Sequence, residues 1–268
     1  MWLGTVDAGL FWTGLGLMLG AVVVWYRRGR RDLLADSPAR PNRLTPEIVM
    51  SLAAGYVVAS LVVASVIEWL GGEGAYRLSA GAGVQAAGGL ACLWLGARYF
   101  EGGMRRFVLG NGRVLLRIGQ GAVLVVAAMA MCYSIFESTK GVMHWLMPDY
   151  QPPEHSVLEA LQKGTEPVWV LRLGAAVIAP VAEECFFRGI FQTVVRNLYG
   201  RAWPAVIFSA VLFGLAHADQ PQVVPTLIAL GVVLGAFYER SGSLTGPIAL
   251  HVLFNLKTLA WQALGAGP

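Results

Sequence analysis

The chain has 268 residues, of which 56% are hydrophobic and 13% charged, with a mean hydropathy of +0.59. A soluble domain carries about 25% charged residues, so the composition argues against a soluble enzyme. A hydrocarbon core about 30 Å thick takes roughly 20 apolar residues per helix, which leaves room for seven or eight crossings in one all-α membrane bundle. The formal net charge of +4 would suggest nucleic acid in a soluble protein. In a membrane protein basic residues collect on cytoplasmic loops instead, so no nucleic-acid partner is expected. Cys92, Cys132 and Cys185 sit inside apolar runs without paired spacing, which predicts small packing residues and neither disulfides nor a cysteine metal site.

In chain order, uncharged apolar runs from Ala8 to Tyr26, Ile48 to Ile67, Leu78 to Ala97 and Ile118 to Phe136 each predict a membrane-crossing helix. The first lacks a basic leader and a small-residue cleavage site, and reads as a retained helix. Gly81, Gly83, Gly88 and Gly89 in the third suit close helix contacts. A polar insert from Glu137 to Glu166, with Pro148, Pro152 and Pro153 and a short amphipathic stretch from His155 to Lys163, reads as a solvated connector, with a lid or surface helix as the alternative. His144 and His155 are read as surface residues. The second half is interrupted: a fifth helix begins at Val168 but holds Glu183, Glu184 and Arg188, and shorter runs follow at Trp203 to His217, Val223 to Tyr238 and Leu244 to about Leu264. Residues 1–167 are therefore membrane helices plus insert, and 168–268 a helical core of the same bundle. Basic residues fall mainly in the first and third connections, with Arg196, Arg201 and Arg240 later. This predicts that those connections are cytoplasmic and both termini lie outside. The chain contains 17 Arg against 3 Lys, a bias that points to a GC-rich bacterial source and hence to the bacterial inner membrane.

Each ionised residue at mid-bilayer costs about 2.5–3.5 kcal/mol on insertion scales, so Glu183, Glu184 and Arg188 on one helix call for compensation. On the sixth run Phe213 and His217 are four residues apart, and on the eighth His251 and Asn255 repeat that spacing, stacking each pair on one helical face. Glu184 and Arg188 share it, whereas Glu183 and Glu184 project about 100° apart and need not share a role. Counting 1.5 Å per residue from an interface near Arg196, Trp203 and Arg240 puts Glu184, His217 and His251 at about 18, 21 and 17 Å. Glu183, Glu184, His217, His251 and Asn255 are thus expected to converge, provided the fifth helix continues past Gly189. A break there would shift the carboxylates inward.

The stretches AEECFFRG (Ala182 to Gly189), FGLAH (Phe213 to His217) and HVLFN (His251 to Asn255) resemble, in order and spacing, the EExxxR, FxxxH and HxxxN motifs of the CAAX-protease and bacteriocin-processing family. The likeness covers roughly Val168 to Ala260 and none of the first four helices. It implies a multi-pass intramembrane endopeptidase with Glu183 and Glu184 as catalytic glutamates, Arg188 as their partner, and His217, His251 and Asn255 completing the site. The chemistry agrees: peptide hydrolysis needs a water, a base and donors for the oxyanion. Glu183 is preferred over Glu184 as base, with His217 orienting the water or shuttling a proton and His251 with Asn255 as oxyanion donors. No cofactor is required in that scheme; in the alternative, Glu183, His217 and His251 are ligands of a zinc ion that holds the attacking water. The expected partners are the lipid bilayer and a membrane-associated protein or peptide, either a peptide precursor or the C-terminal tail of an exported protein. Competing functions are a proton- or ion-coupled carrier and a catalytically inert immunity or binding protein of the same fold.

Overall fold

Inside a bilayer a backbone must satisfy its own hydrogen bonds, and this chain does so by coiling nearly everywhere. The structure, a computed structural model, describes residues 2–27, 32–38, 40–70, 75–149 and 168–263. The first half forms α1 (Trp2–Arg27), α2 (Pro46–Trp69), α3 (Ala75–Tyr99), the short α4 (Gly103–Leu109) and α5 (Val114–Leu146). A continuous helix over 168–199 follows, labelled α6, then α7 (Ala202–Leu215), α8 (Val224–Ser241) and α9 (Thr245–Ala263). Among the described residues five stretches suffice, by length and composition, to cross a membrane: Ala8–Arg27, Pro46–Trp69, Ser79–Tyr99, the α4–α5 stretch Gly103–Leu146, and Val224–Ser241; Ala202–Leu215 is a shorter apolar helix. The protein is a polytopic helical membrane bundle.

Two boundaries differ from the sequence expectation. At 33 residues, α5 runs to Leu146, so the first ten residues of the expected polar insert are helix. Nothing before Pro148 removes a backbone donor. The amphipathic stretch from His155 to Lys163 lies outside the described residues, as does His155; His144 is exposed on α5. Between α3 and α5, α4 carries Phe107 into the core at 1% exposure. Its ring packs where a Cβ on Gly189 would stand, and there α6 passes without a break.

The helices differ sharply in what they cover. Half of the apolar window of α8 is buried, against 6% for α1 and for α2, so α8 is central and the outer faces of α1 and α2 are left for lipid. α1 leans on α5, with Gly14 against Ala130 and the Ser134 hydroxyl donating to Phe11 O at 2.6 Å. One core cluster joins Cys92, Phe107, Cys185, Ile190 and Tyr238, and a second joins Cys132, Leu230, Leu234 and Leu250. All three cysteines are free and buried. Of the four glycines expected at helix contacts, only two touch a neighbour: Gly88 meets the Tyr56 ring and Gly89 meets Ala182, while Gly81 and Gly83 have open space around them.

At the end of the bundle near Arg196 and Arg240, the chain after α1 binds the ends of the later helices. Trp203 Nε1 donates to Asp32 Oδ1 at 2.8 Å. Arg40 Nη2 meets the fully buried Glu239 Oε1 at 2.7 Å, and Gln192 Nε2 donates to the same oxygen at 2.8 Å. Arg40 also lies 4.2 Å from the Tyr238 ring centroid. This network ties the first connection to α6 and α8.

Candidate active site

α6 is not a uniform helix. Residues Gly174–Ile178 and Glu184–Gln192 are π-helical, hydrogen-bonded i→i+5, and ordinary α-turns separate and flank them. Such wide turns recur at functional sites because they re-aim side chains without ending the helix. Gly200, at φ 66°, closes α6 in the left-handed conformation with its N–H on Arg196 O at 3.0 Å, as glycine permits.

On the second wide segment Glu184 and Arg188 are both fully buried, with Glu184 Oε1 3.0 Å from Arg188 Nη1. His251 of α9 donates from Nδ1 to the same Glu184 oxygen at 2.9 Å. Arg188 reaches across to Gly231 O of α8 at 3.3 Å and lies 4.6 Å from the Phe213 ring centroid. Glu184 Oε2 and Arg188 Nε are buried without a hydrogen-bond partner among the described residues. Phe213, 1% exposed, packs edge-on against both His217 and His251. It is the apolar divider between the two imidazoles.

Glu183 has a different setting. Its side chain is 18% exposed and lines a cavity of about 720 Å³ between α2, α3, α6 and α7, together with His217, Gln85, Tyr56 and, in the turn after α7, Asp219. Its Oε1 accepts from Gln85 Nε2 at 2.8 Å. Its Oε2 lies 3.8 Å from His251 Nε2, beyond hydrogen-bond range. His217 Nδ1 is 3.0 Å from Phe213 O. A carbonyl can only accept, so Nδ1 carries the proton there and the neutral ring leaves Nε2 as an acceptor.

The structure thus brings Glu184, Arg188 and His251 into direct contact, with Glu183 beside them on the cavity and His217 lining that cavity. It does not bring Asn255 to the cavity. The Asn255 amide donates to Ala175 O at 2.9 Å, on the first wide segment, where it fastens α9 to α6. For zinc, the donors do not assemble: among the described residues no group of three or more His, Cys, Asp or Glu side chains is placed to hold a metal. His251 is turned to Glu184 and His217 to its own helix.

Sequence reasoning missed Gln85, Tyr56, Asp219 and the buried Glu239. Gln85 did carry a signal, being an amide inside a span, where an unpartnered polar group is costly.

A polytopic helical membrane protein with a buried Glu–Arg–His set behind a glutamate-lined cavity is the class that these features define. Residues 165–257 match the family model described as type II CAAX prenyl endopeptidase Rce1-like. The chain is 31% identical over 94 residues to the membrane-embedded CAAX protease MroQ of Staphylococcus aureus, a match covering 33% of this chain and 38% of that protein. It is 32% identical over 79 residues to an uncharacterized 24.3 kDa protein of Escherichia coli, covering 28% and 36%. It is 26% identical over 98 residues to YbdI of Lactococcus lactis, covering 37% and 52%. The aligned stretches span between about a third and a half of these relatives. No solved structure matches. Over residues 165–257, the helices that carry the three motifs, the chain is thus similar to this family model and to these relatives.

Proposed function

We propose that the protein is an intramembrane endopeptidase in which Glu183 activates water. The observation that carries this reading is the division of labour between adjacent glutamates: Glu184 is fully buried and held by Arg188 and His251, while Glu183 faces the cavity. An ion pair that leaves two buried atoms unpartnered is a poor stability device, which favours a functional reason for keeping it. In the hydrolysis, Glu183 takes a proton from water as its oxygen attacks the peptide carbonyl. The His217 Nε2 lone pair accepts the water's other hydrogen and fixes its orientation. Glu183 then returns the proton to the departing nitrogen as the C–N bond breaks, which balances the reaction. Arg188 and His251 hold Glu184 as a fixed charge beneath the site, and Asn255 keeps α9 in register through Ala175.

The substrate on this reading is a membrane-associated peptide precursor or the C-terminal tail of an exported protein. The enzyme sits in the bacterial inner membrane with both termini outside. The test compares the membrane proteomes of cells carrying the wild-type chain or Glu183→Gln. Proteins that keep an extra terminal segment only in the variant are expected, together with a fall in cleavage rate of about 10²–10⁴-fold, the usual contribution of a general base. Unchanged termini, with the variant inserted at wild-type levels, would refute it.

A further inference from the structure

The motif-bearing helices leave one part of the site to the other half of the chain. Glu183 is a flexible side chain at the edge of a cavity, and neither Arg188 nor His251 hydrogen-bonds to it. Among the described residues its hydrogen bond comes from Gln85 of α3, Nε2 to Oε1 at 2.8 Å, and both residues line the same cavity. Gln85 lies outside the stretch 165–257 that matches the family model. The approach that permits this bond is built into the sequence: one turn further along α3, Gly89 lies against Ala182, the residue before Glu183, where an added Cβ would stand 3.0 Å from the Ala182 Cβ. Because Cα–Cβ bonds tilt toward a helix N-terminus, Glu183 leans from there toward the level of Gln85. The donor is a neutral amide, so it fixes the carboxylate without the full charge that Arg188 brings to Glu184.

We infer that Gln85 is a positioning residue for the reaction, holding one oxygen of Glu183 so that the other is presented to the attacking water. The inference rests on the proposed hydrolysis. It assigns the α2–α3 pair a part in the active site, since α3 supplies the group that orients the base.

The test uses the full-length protein in liposomes, cleaving a processed substrate found by the proteomic comparison, with Gln85→Met and Gln85→His. Methionine matches the length and volume of glutamine but has no donor. Histidine places an Nε2–H at about the same reach. Gln85→Met is expected to lower kcat roughly tenfold or more with KM within about twofold, the scale of a lost hydrogen bond to a charged group. Gln85→His is expected to recover most of that loss, and thermal unfolding to stay near wild type for both. A packing role gives the opposite order, with methionine tolerated and histidine damaging, and either that order or a wild-type kcat for Gln85→Met overturns the assignment. If Glu183→Gln itself cleaves normally, the hydrolysis reading fails and takes this one with it. If only the Glu183 variant is dead, Gln85 alone is refuted.

Discussion

Replacing Arg188 by methionine removes the guanidinium in direct contact with Glu184, at a site where both side chains are wholly buried. Breaking a buried pair from one side costs about 3–5 kcal/mol, because the remaining charge has neither water nor partner. His251 still donates to Glu184 from 2.9 Å, which places the expectation toward the lower end, about 3 kcal/mol. At about 2–4 °C per kcal/mol for a chain of this size, the melting temperature in detergent should fall by roughly 10 °C. The double variant Glu184→Leu, Arg188→Met should be the more stable of the two. It buries no charge, and it leaves His251 Nδ1 without its acceptor and Gly231 O without its side-chain donor, a cost of about 1–3 kcal/mol. Both variants should be inactive. Thermal unfolding of wild type, the single and the double variant in one detergent checks the ordering. A double variant at least as unstable as Arg188→Met would refute the account of Glu184 as a buried charge held by its arginine.

Exhaustive chelation of the purified protein should leave cleavage unchanged, as read by substrate turnover before and after treatment; loss of activity restored by zinc would instead show that Glu183 and the two histidines gather around a metal during turnover. Arg40→Ala strips the closest cation from buried Glu239, though Arg196 Nε remains 3.7 Å from its other oxygen. It should therefore destabilise by about 2–3 kcal/mol, less than a pair without a second cation, and protease sensitivity between α1 and α2 should rise in parallel.

Much of this was legible in the chain because membrane helices announce themselves by length. The runs beginning at Trp203, Val223 and Leu244 each fall within about a residue of an observed helix start. The meeting of Glu184 with His251 followed from counting rise per residue. Pattern alone did not show the wide turns of α6, which change the angular position of every residue beyond them. Nor did it separate Gly81 and Gly83 from Gly88 and Gly89: four small residues look alike in a string, and only the placement of α2 and α6 around α3 decides which are covered. Asn255 shares a helical face with His251, yet one turn of separation carries its amide to Ala175 O and away from the cavity. Gln85 was overlooked because a lone amide belongs to no motif.

The nine-residue stretch Glu184–Gln192 of α6 acts as a phase shifter between two halves of one rod. Upstream of it the helix presents Glu183 to the cavity, and its last residue, Gln192, bonds to Gly235 O and Glu239 of α8. Deleting one residue inside the stretch, with its wide turns kept, would swing the two halves relative to one another by somewhat less than the 100° that one residue spans in a regular helix. The acid would then leave the cavity, or the anchor would leave its partner. Sequence length between Glu183 and Gln192 is therefore as strict a requirement on this molecule as the identity of either residue.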